Sequence, residues 1–205
     1  MNPRVGVCDY GVGNLRSVER ALLRAGADAV ISDSAEDIAA CAGVVLPGVG
    51  AFAGAVSTLR RAGLAEAVRF LASAGRPVLG VCLGYQMLFE HSDEGEGADG
   101  LGLLQGSVSR LAAKGLKIPH MGWNRLRLVN GSPLLAGVAD GSFVYFVHSY
   151  AAHAVPEEVI AYTDYGGELA AAARRGNVMG TQFHPEKSGA SGLRVYANLV
   201  ALCAA

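Results

Sequence analysis

The chain has 205 residues and a mass of 21.1 kDa, which suffices for one substantial α/β domain and is too little for two large ones. Hydrophobic residues make up 51% and charged residues 17% of the sequence. Folding can therefore bury enough apolar surface to offset the loss of chain entropy, which excludes disorder as the main state. The formal net charge of −1 at pH 7 excludes attraction to nucleic acid or anionic membranes through a global basic field.

Neither a membrane-spanning segment nor a signal peptide is expected. Glycine, proline or a charge interrupts every apolar stretch before the ~20 residues that a bilayer requires, and residues 1–4 lack a signal-peptide core. No two of the four cysteines (Cys8, Cys41, Cys82, Cys203) stand at metal-ligand spacing. We therefore expect a cytoplasmic protein that uses no metal and no cofactor.

The first half of the chain alternates short apolar runs with segments of helical periodicity. Strands are predicted over residues 4–9, 29–31, 43–46 and 77–81. Helices are predicted over residues 14–25, from Ser34 onward, over 53–73 with an interruption near Gly63, and over 85–91. This alternation favours a parallel sheet covered by helices on both faces.

The pattern changes after a Gly-rich and acidic segment, residues 93–106, which is typical of a surface loop. Six further strands are predicted, several of them antiparallel, over 107–111, 125–129, 143–147, 159–163, 169–174 and 178–183. A helix over residues 189–202 follows. The expected fold is a three-layer α/β sandwich with a mostly parallel central sheet, an antiparallel extension and a single domain over residues 1–205.

A strand-turn-helix junction carries the first candidate catalytic residue. Gly80 and Gly84 stand two positions on either side of Cys82, which is the spacing of a nucleophile elbow. Small residues permit the strained turn, and the helix amino terminus favours the thiolate and supplies N–H groups for an oxyanion. The alternative is a buried structural cysteine.

The candidate general base stands at the end of the last predicted strand, in the segment His184-Pro185-Glu186. Pro185 is expected to keep this segment extended, so that His184 and Glu186 point to the same side. The carboxylate can then orient the imidazole, which completes a Cys-His-Glu relay. A structural histidine beside a proline is the alternative.

A Gly-rich turn follows the strand over residues 43–46. Gly48, Val49 and Gly50 come directly after Pro47, and the two glycines permit a backbone conformation that aims an N–H group at the elbow. Together with the amide of Leu83, this turn is a candidate oxyanion hole. An ordinary Pro-Gly turn is the alternative.

Six motifs in this order resemble the class I (triad) glutamine amidotransferases, and within that group the glutaminase subunits of imidazole glycerol phosphate synthase. The motifs are Asp9-Tyr-Gly-Val-Gly-Asn-Leu15, Leu46-Pro-Gly-Val-Gly-Ala-Phe52, Gly80-Val-Cys-Leu-Gly-Tyr-Gln86, Pro119-His-Met-Gly-Trp-Asn124, Phe146-Val-His-Ser-Tyr150 and Gln182-Phe-His-Pro-Glu-Lys187. The resemblance implies a flavodoxin-like fold, a thioester on Cys82, proton transfer by His184 and orientation of that histidine by Glu186. It also implies that ammonia passes to a cyclase subunit.

The same resemblance implies binding residues for glutamine and for the partner. The glutamine-binding positions are Gln86, Glu94, His148, Ser149 and Tyr150. For these, a polar strand end or a solvated acidic loop is the alternative. The positions near the docking face or the ammonia path are Asn14, Trp123, Tyr145 and Lys187, with Trp123 expected on a loop and a core tryptophan as the alternative.

Other functions remain open from the sequence. One is the glutaminase subunit of a different synthase, such as pyridoxal phosphate synthase. Another is a catalytically inactive amidotransferase-like binding module, although the chain retains Cys82, His184 and Glu186. A cysteine peptidase or a chaperone of related fold is a third, and these commonly lack the late His-x-Glu segment.

Overall fold

The computed structural model describes residues 2–112 and 115–205. The strands, in chain order, are β1 Arg4–Cys8, β2 Asp28–Ser32, β3 Gly43–Leu46, β4 Val78–Val81, β5 His91–Ser92, β6 Ala98–Asp99, β7 Gly106–Arg110, β8 His120–Arg125, β9 Arg127–Leu128, β10 Phe143–His148, β11 Tyr150–Ala154, β12 Val159–Asp164, β13 Glu168–Arg175 and β14 Val178–Thr181. The α-helices are α1 Leu15–Arg24, α2 Ala35–Ala39, α3 Phe52–Arg61, α4 Leu64–Ser73, α5 Leu83–Met87 and α6 Gly189–Ala204. Two 3₁₀ helices cover Pro133–Leu135 and Pro185–Lys187.

The central sheet has the strand order β2-β1-β3-β4-β14-β13-β12-β9 among the described residues. Strands β2, β1, β3, β4 and β14 run parallel, whereas β13, β12 and β9 continue the sheet in antiparallel pairs. This confirms the expected mostly parallel sheet with an antiparallel extension. It also places β14, from the last part of the chain, directly beside β4.

Helices cover the parallel part of this sheet on both faces. Helices α2, α3 and α4 bury their apolar residues in one core, together with Val44 and Leu46 of β3. Helices α1 and α6 bury theirs in a second core, to which the same strand contributes Val45. Because successive side chains of a strand point to opposite faces, an all-apolar strand such as β3 serves both cores. The three-layer sandwich is confirmed.

Two smaller sheets flank the site and were only partly predicted. Strand β8 pairs antiparallel with β10, and β11, β7, β5 and β6 form a second small sheet. The expectation that Trp123 lies on a loop is wrong, because His120–Arg125 form strand β8. Met121 and Trp123 are exposed while His120 is buried, so the usual apolar-inward alternation is inverted and hides the strand. Strand β11 was missed because its alanines have low strand propensity.

Three further segments differ from the expectation. Helix α5 begins at Leu83 and ends at Met87, earlier than the predicted range of 85–91. The segment after His184 is the 3₁₀ helix Pro185–Lys187 and is not extended. Short strands β5 and β6 flank part of the acidic segment over residues 93–106. None of the helices in residues 2–112 and 115–205 has the length and apolar character to cross a membrane.

Candidate active site

Cys82 occupies the sharp turn between β4 and α5. Its backbone has φ 55° and ψ −107°, a conformation that a non-glycine residue adopts only when its surroundings enforce it. The amide of Cys82 donates a hydrogen bond of 2.8 Å to the carbonyl of Thr181 in β14. The strain at Cys82 is therefore held by the neighbouring strand, and it sets the thiol at the carboxyl end of the parallel sheet.

The two flanking glycines permit this turn because side chains there would collide with backbone. A Cβ atom on Gly80 would lie 2.7 Å from the amide nitrogen of Tyr85, and one on Gly84 would lie 1.8 Å from the carbonyl oxygen of Leu46. Helix α5 thus approaches both its own strand and the end of β3 more closely than a Cβ allows. The predicted elbow spacing has a steric basis at both glycines.

His184 follows β14 and forms a buried pair with Glu186. Nδ1 of His184 lies 2.8 Å from Oε1 of Glu186, and the side chains are only 4% and 3% exposed. Oε2 of Glu186 accepts a hydrogen bond of 3.4 Å from the hydroxyl of Tyr196, and the amide of His184 donates to the carbonyl of Tyr145 at 3.0 Å. A 3₁₀ turn brings the two side chains together, where an extended segment was expected.

The environment of His184 favours its charged form. Burial opposes the charge, but the hydrogen bond to Glu186 and the interactions with Cys82 and Glu186 outweigh burial and raise the pKa of His184 to about 9. Nε2 of this ring is buried and has no partner of hydrogen-bonding geometry among the described residues. That nitrogen is therefore available for proton transfer, and Cys82 is one of the two groups whose interaction with the imidazole raises its pKa.

The Gly-rich turn after β3 borders the nucleophile. The hydroxyl of Tyr10 donates to the carbonyl of Pro47, which anchors the start of the turn. A Cβ on Gly48 would lie 3.0 Å from the amide nitrogen of Gly84, so this residue packs behind the elbow. Val49, Gly50 and Leu83 line the cavity in front of Cys82, whereas Gly48 does not.

A cavity of about 470 Å³ opens at Cys82. Its lining includes all five predicted glutamine-binding residues: Gln86, Glu94, His148, Ser149 and Tyr150. The sequence analysis missed Arg110, Pro119 and Val147, which also line it. Pro119 begins one of the six motifs, but nothing in the sequence around Arg110 marked it out. A larger cavity of about 520 Å³ lies between α1 and α6 and does not reach Cys82.

Two of these lining residues are fixed by specific hydrogen bonds. Oε2 of Glu94 accepts a bond of 2.8 Å from the amide of Phe52, the first residue of α3, so this carboxylate is not simply solvated. Nε2 of Gln86 donates to the carbonyl of Tyr150 at 2.8 Å and to Oε1 of Gln182 at 3.0 Å. Nε2 of Gln182 in turn lies 3.8 Å from Sγ of Cys82. Gln182 is a contact of Cys82 that sequence reasoning did not single out.

Three of the four predicted docking or path residues form one cluster. The rings of Trp123 and Tyr145 lie 6.2 Å apart, and Nζ of Lys187 lies 5.6 Å from the Tyr145 ring. Trp123 is 56% exposed, which contradicts a core position. It stands on β8 and not on the expected loop. The inverted alternation described above hides this strand in the sequence. The fourth residue, Asn14, stands directly before α1.

Comparison with known sequences assigns the chain to a family. The profile of the family "Glutamine amidotransferase class-I" matches residues 6–201. The curated "Imidazole glycerol phosphate synthase subunit HisH" of Methanosarcina mazei is 50% identical over 202 residues, which cover 98% of this chain and 99% of the relative. The subunit of the same name from Moorella thermoacetica is 49% identical over 197 residues, covering 95% of this chain and 92% of the relative.

Solved structures of low sequence identity share the fold. A structure described as "Crystal structure of glutamine amidotransferase" superposes with a TM-score of 0.77 at 23% identity and covers 98% of this chain and 99% of its own. The structure of PurLQS from Thermotoga maritima gives 0.75 at 21% identity, with 98% and 99% coverage. By profile, sequence identity and fold, the chain belongs to the class-I glutamine amidotransferases and, within them, to the family of the imidazole glycerol phosphate synthase subunits HisH.

Proposed function

We propose that this chain is the glutaminase subunit of an imidazole glycerol phosphate synthase, which hydrolyses glutamine to glutamate and ammonia. The observation that carries the proposal is the buried His184–Glu186 pair beside Cys82, at the wall of a cavity of about 470 Å³. The name of the relatives that are 45–50% identical supports the identity of the synthase.

The first half of the reaction forms a thioester. The thiolate of Cys82 attacks the carboxamide carbon of glutamine, and the carbonyl electron pair moves to oxygen, where amides of the turn at Val49 and of Leu83 stabilise it. The imidazolium of His184 gives its Nε2 proton to the leaving nitrogen as the carbon–nitrogen bond breaks. Ammonia and a γ-glutamyl thioester result, and His184 is left neutral.

The second half restores the enzyme. Neutral His184 removes a proton from water, whose oxygen attacks the thioester carbon, and the carbon–sulfur bond breaks as glutamate forms. Glu186 keeps the imidazole in one orientation throughout through its hydrogen bond to Nδ1. The raised pKa of His184, about 9, favours the thiolate–imidazolium form with which each cycle begins.

The partner in this proposal is the cyclase subunit that receives the ammonia and forms imidazole glycerol phosphate and aminoimidazole carboxamide ribotide. The relatives carry the name of a subunit, which implies a second chain. The exposed cluster of Trp123, Tyr145 and Lys187 supports a docking face near the site, because aromatic residues are enriched at the centres of interfaces. We place this heterodimer in the cytoplasm and assign the whole chain to one glutaminase domain.

The test is glutamate release from glutamine by the chain alone, by the chain with the cyclase subunit, and by that complex with the cyclase's ribonucleotide ligand. Cys82→Ser is the inactive variant. Cys203→Ser is the matched control, because Cys203 lies in α6 and does not line the cavity at Cys82. We expect turnover that depends on Cys82, is unchanged by Cys203→Ser and rises strongly with the liganded cyclase.

The outcomes separate the two parts of the proposal. Activity retained in Cys82→Ser contradicts the thioester mechanism. Activity that depends on Cys82 but is indifferent to the cyclase keeps the glutaminase and contradicts the assignment to this synthase.

A further inference from the structure

Two buried histidines stand side by side, one at the cavity wall and one behind it, and neither takes part in the mechanism above. His120 of β8 and His148 of β10 are cross-strand partners, only 2% and 6% exposed. Nδ1 of His120 lies 3.0 Å from Nε2 of His148. Of the two, only His148 lines the cavity. Any effect of His120 on the site therefore passes through His148.

The hydrogen-bonding groups at the two ends of this pair determine which ring nitrogens carry a proton. The side chain of Asn124 accepts at Oδ1 from the amide of Arg125 at 2.8 Å and donates from Nδ2 to the carbonyl of Asp164 at 2.8 Å, which sets the orientation of its amide. Nδ2 also lies 3.2 Å from Nε2 of His120. An amide nitrogen only donates, so Nε2 of His120 accepts and its Nδ1 carries the proton.

The same reasoning continues into His148. Because Nδ1–H of His120 donates to Nε2 of His148, the proton of His148 resides on Nδ1, which lies 2.8 Å from the carbonyl of Tyr150. A carbonyl only accepts, so this assignment agrees with both ends of the chain of hydrogen bonds. Both rings are neutral in this arrangement, and burial lowers the pKa of each to about 4.

The chain of hydrogen bonds ends at the nucleophile. The Tyr150 carbonyl accepts a second bond from Nε2 of Gln86 at 2.8 Å, and Gln86 leads through Gln182 to Sγ of Cys82. At its other end the ring of His120 packs parallel to those of Phe146 and Tyr165, with centroids 4.6 Å and 4.0 Å away. His120 is thus held in one place and has one available proton to donate.

We propose that His120 is a positioning residue for the glutamine pocket: its Nδ1–H, oriented by Asn124, occupies Nε2 of His148 and thereby keeps His148 neutral and bonded to the Tyr150 carbonyl at the cavity wall. The consequence concerns charge. A proton on His148 would add a cation next to the imidazolium of His184 and would repel the α-ammonium group of glutamine. This inference rests on the proposed glutaminase function.

Other ionisable groups surround the pair, and they stay unchanged in the variants below. The titratable and charged side chains that face His148 or His120 are Cys82, Glu94, Arg110, Tyr150, Tyr165 and His184. Any pH dependence that these groups cause appears equally in the wild type. The informative quantity is therefore the difference between each variant and the wild type at each pH.

Two substitutions separate the hydrogen bonds of His120 from its packing. His120→Phe keeps an aromatic ring beside Phe146 and Tyr165 but removes the donor. His120→Asn removes the ring but keeps a nitrogen donor near the position of Nδ1. His153→Phe is the matched control, because His153 is exposed on β11 and contacts Ser109 outside the cavity at Cys82.

The first test measures kcat and KM for glutamine in the complex with the cyclase subunit, between pH 6 and 8. In His120→Phe the donor to Nε2 of His148 is lost, so the pKa of His148 rises above its lowered value of about 4, while burial still holds it below 6.5. The KM is therefore expected to rise from pH 8 to pH 6 relative to the wild type, by up to about fourfold. The kcat changes less, and His120→Asn restores the flat profile. A KM difference that is the same at every pH, or no difference from His153→Phe, overturns the proposal.

The second test needs neither a variant nor activity. Long-range ¹H–¹⁵N spectra of the imidazoles in the wild-type chain report which ring nitrogen carries the proton. We expect Nδ1-protonated, neutral rings for both His120 and His148 from pH 6 to 8. An Nε2-protonated or doubly protonated ring at either position contradicts the inference. If the wild-type complex fails to hydrolyse glutamine, the proposed function fails, and these spectra still decide the arrangement of protons.

Discussion

The close approach of helix α5 to the end of β3 can be tested by adding a single methyl group. In Gly84→Ala the new Cβ would lie 1.8 Å from the carbonyl oxygen of Leu46, whereas ordinary contact begins at 3.4 Å. The elbow and the strand end must therefore separate by about 1.6 Å. The atoms that the new Cβ would meet belong to the backbone of Leu46 and Pro47, so no side chain can rotate out of its way. Because Cys82 precedes α5 and the candidate oxyanion turn follows Leu46, this separation changes the distance between nucleophile and oxyanion donors.

The expected effect on catalysis is large. A misplacement of about 1 Å costs about 100-fold in rate, so kcat/KM for glutamine should fall by at least about 100-fold, or about 2.7 kcal/mol. Overpacking should also lower the free energy of unfolding by about 1–3 kcal/mol. The assays are glutamate release in the complex with the cyclase and thermal unfolding of the isolated chain.

Gly54→Ala is the matched control for this substitution. Gly54 is exposed within α3 and has no atom within 4 Å of its added Cβ. Alanine there should leave kcat/KM unchanged and stabilise the chain by about 0.5–1 kcal/mol through helix propensity. Wild-type kcat/KM in Gly84→Ala would refute the argument that this contact sets the geometry of the site.

Three further predictions concern charge at the site. Glu186→Gln removes one of the two groups that raise the pKa of His184 against its burial. The pKa of His184 should therefore fall by about 1–3 units in an NMR titration, and kcat should fall about 10²–10⁴-fold. Since the folded-state pKa of about 9 exceeds the unfolded value of 6.5, the stabilisation from His184 is complete below pH 6.5 and is lost as the pH rises through 9. The free energy of unfolding of the wild type, measured by urea denaturation, should therefore fall relative to that of Glu186→Gln over this range, by up to about 3 kcal/mol. Arg110→Gln removes a cation that lines the cavity and should raise the KM for glutamine about 5–10-fold with little change in kcat, because the α-carboxylate loses a charged partner.

Each of these predictions has a contrary outcome. An unchanged His184 titration in Glu186→Gln would show that the carboxylate does not stabilise the imidazolium. If the free energy of unfolding of the wild type rose relative to that of Glu186→Gln between pH 6.5 and pH 9, the sign would contradict a raised pKa of His184. For Arg110, the control is Arg61→Gln at the end of α3, which lies outside the cavity; equal KM values for the two variants would exclude a specific interaction with the substrate.

Those parts of the fold and site that depend on local patterns were predictable from the sequence. Strands β3 and β4 are apolar on both faces and short, which is typical of a parallel sheet between two helical layers. The elbow at Cys82 depends on two glycines within two residues of it, so the sequence alone shows that the close approach of helix and strand is sterically possible there. The approximate positions of His184 and Glu186 followed from one short segment.

The parts that depend on pairing between distant strands were not predictable. The position of His120 beside His148 requires the register of β8 against β10, and β8 was hidden by its exposed Met121 and Trp123. Arg110 reaches the cavity only because β7 pairs with β11 next to Tyr150. No residue type or spacing near either position indicates these contacts.

The place of β14 in the middle of the sheet has a consequence for synthesis of the chain. On a ribosome, β4 and Cys82 emerge long before β14, which pairs with β4 and precedes His184. Until then β4 has an apolar edge without its neighbour, the type of surface on which incomplete chains aggregate. Fragments that stop before β14 also lack His184, so a nascent or prematurely terminated chain carries the Cys82 thiol without the residue that we propose as its general acid.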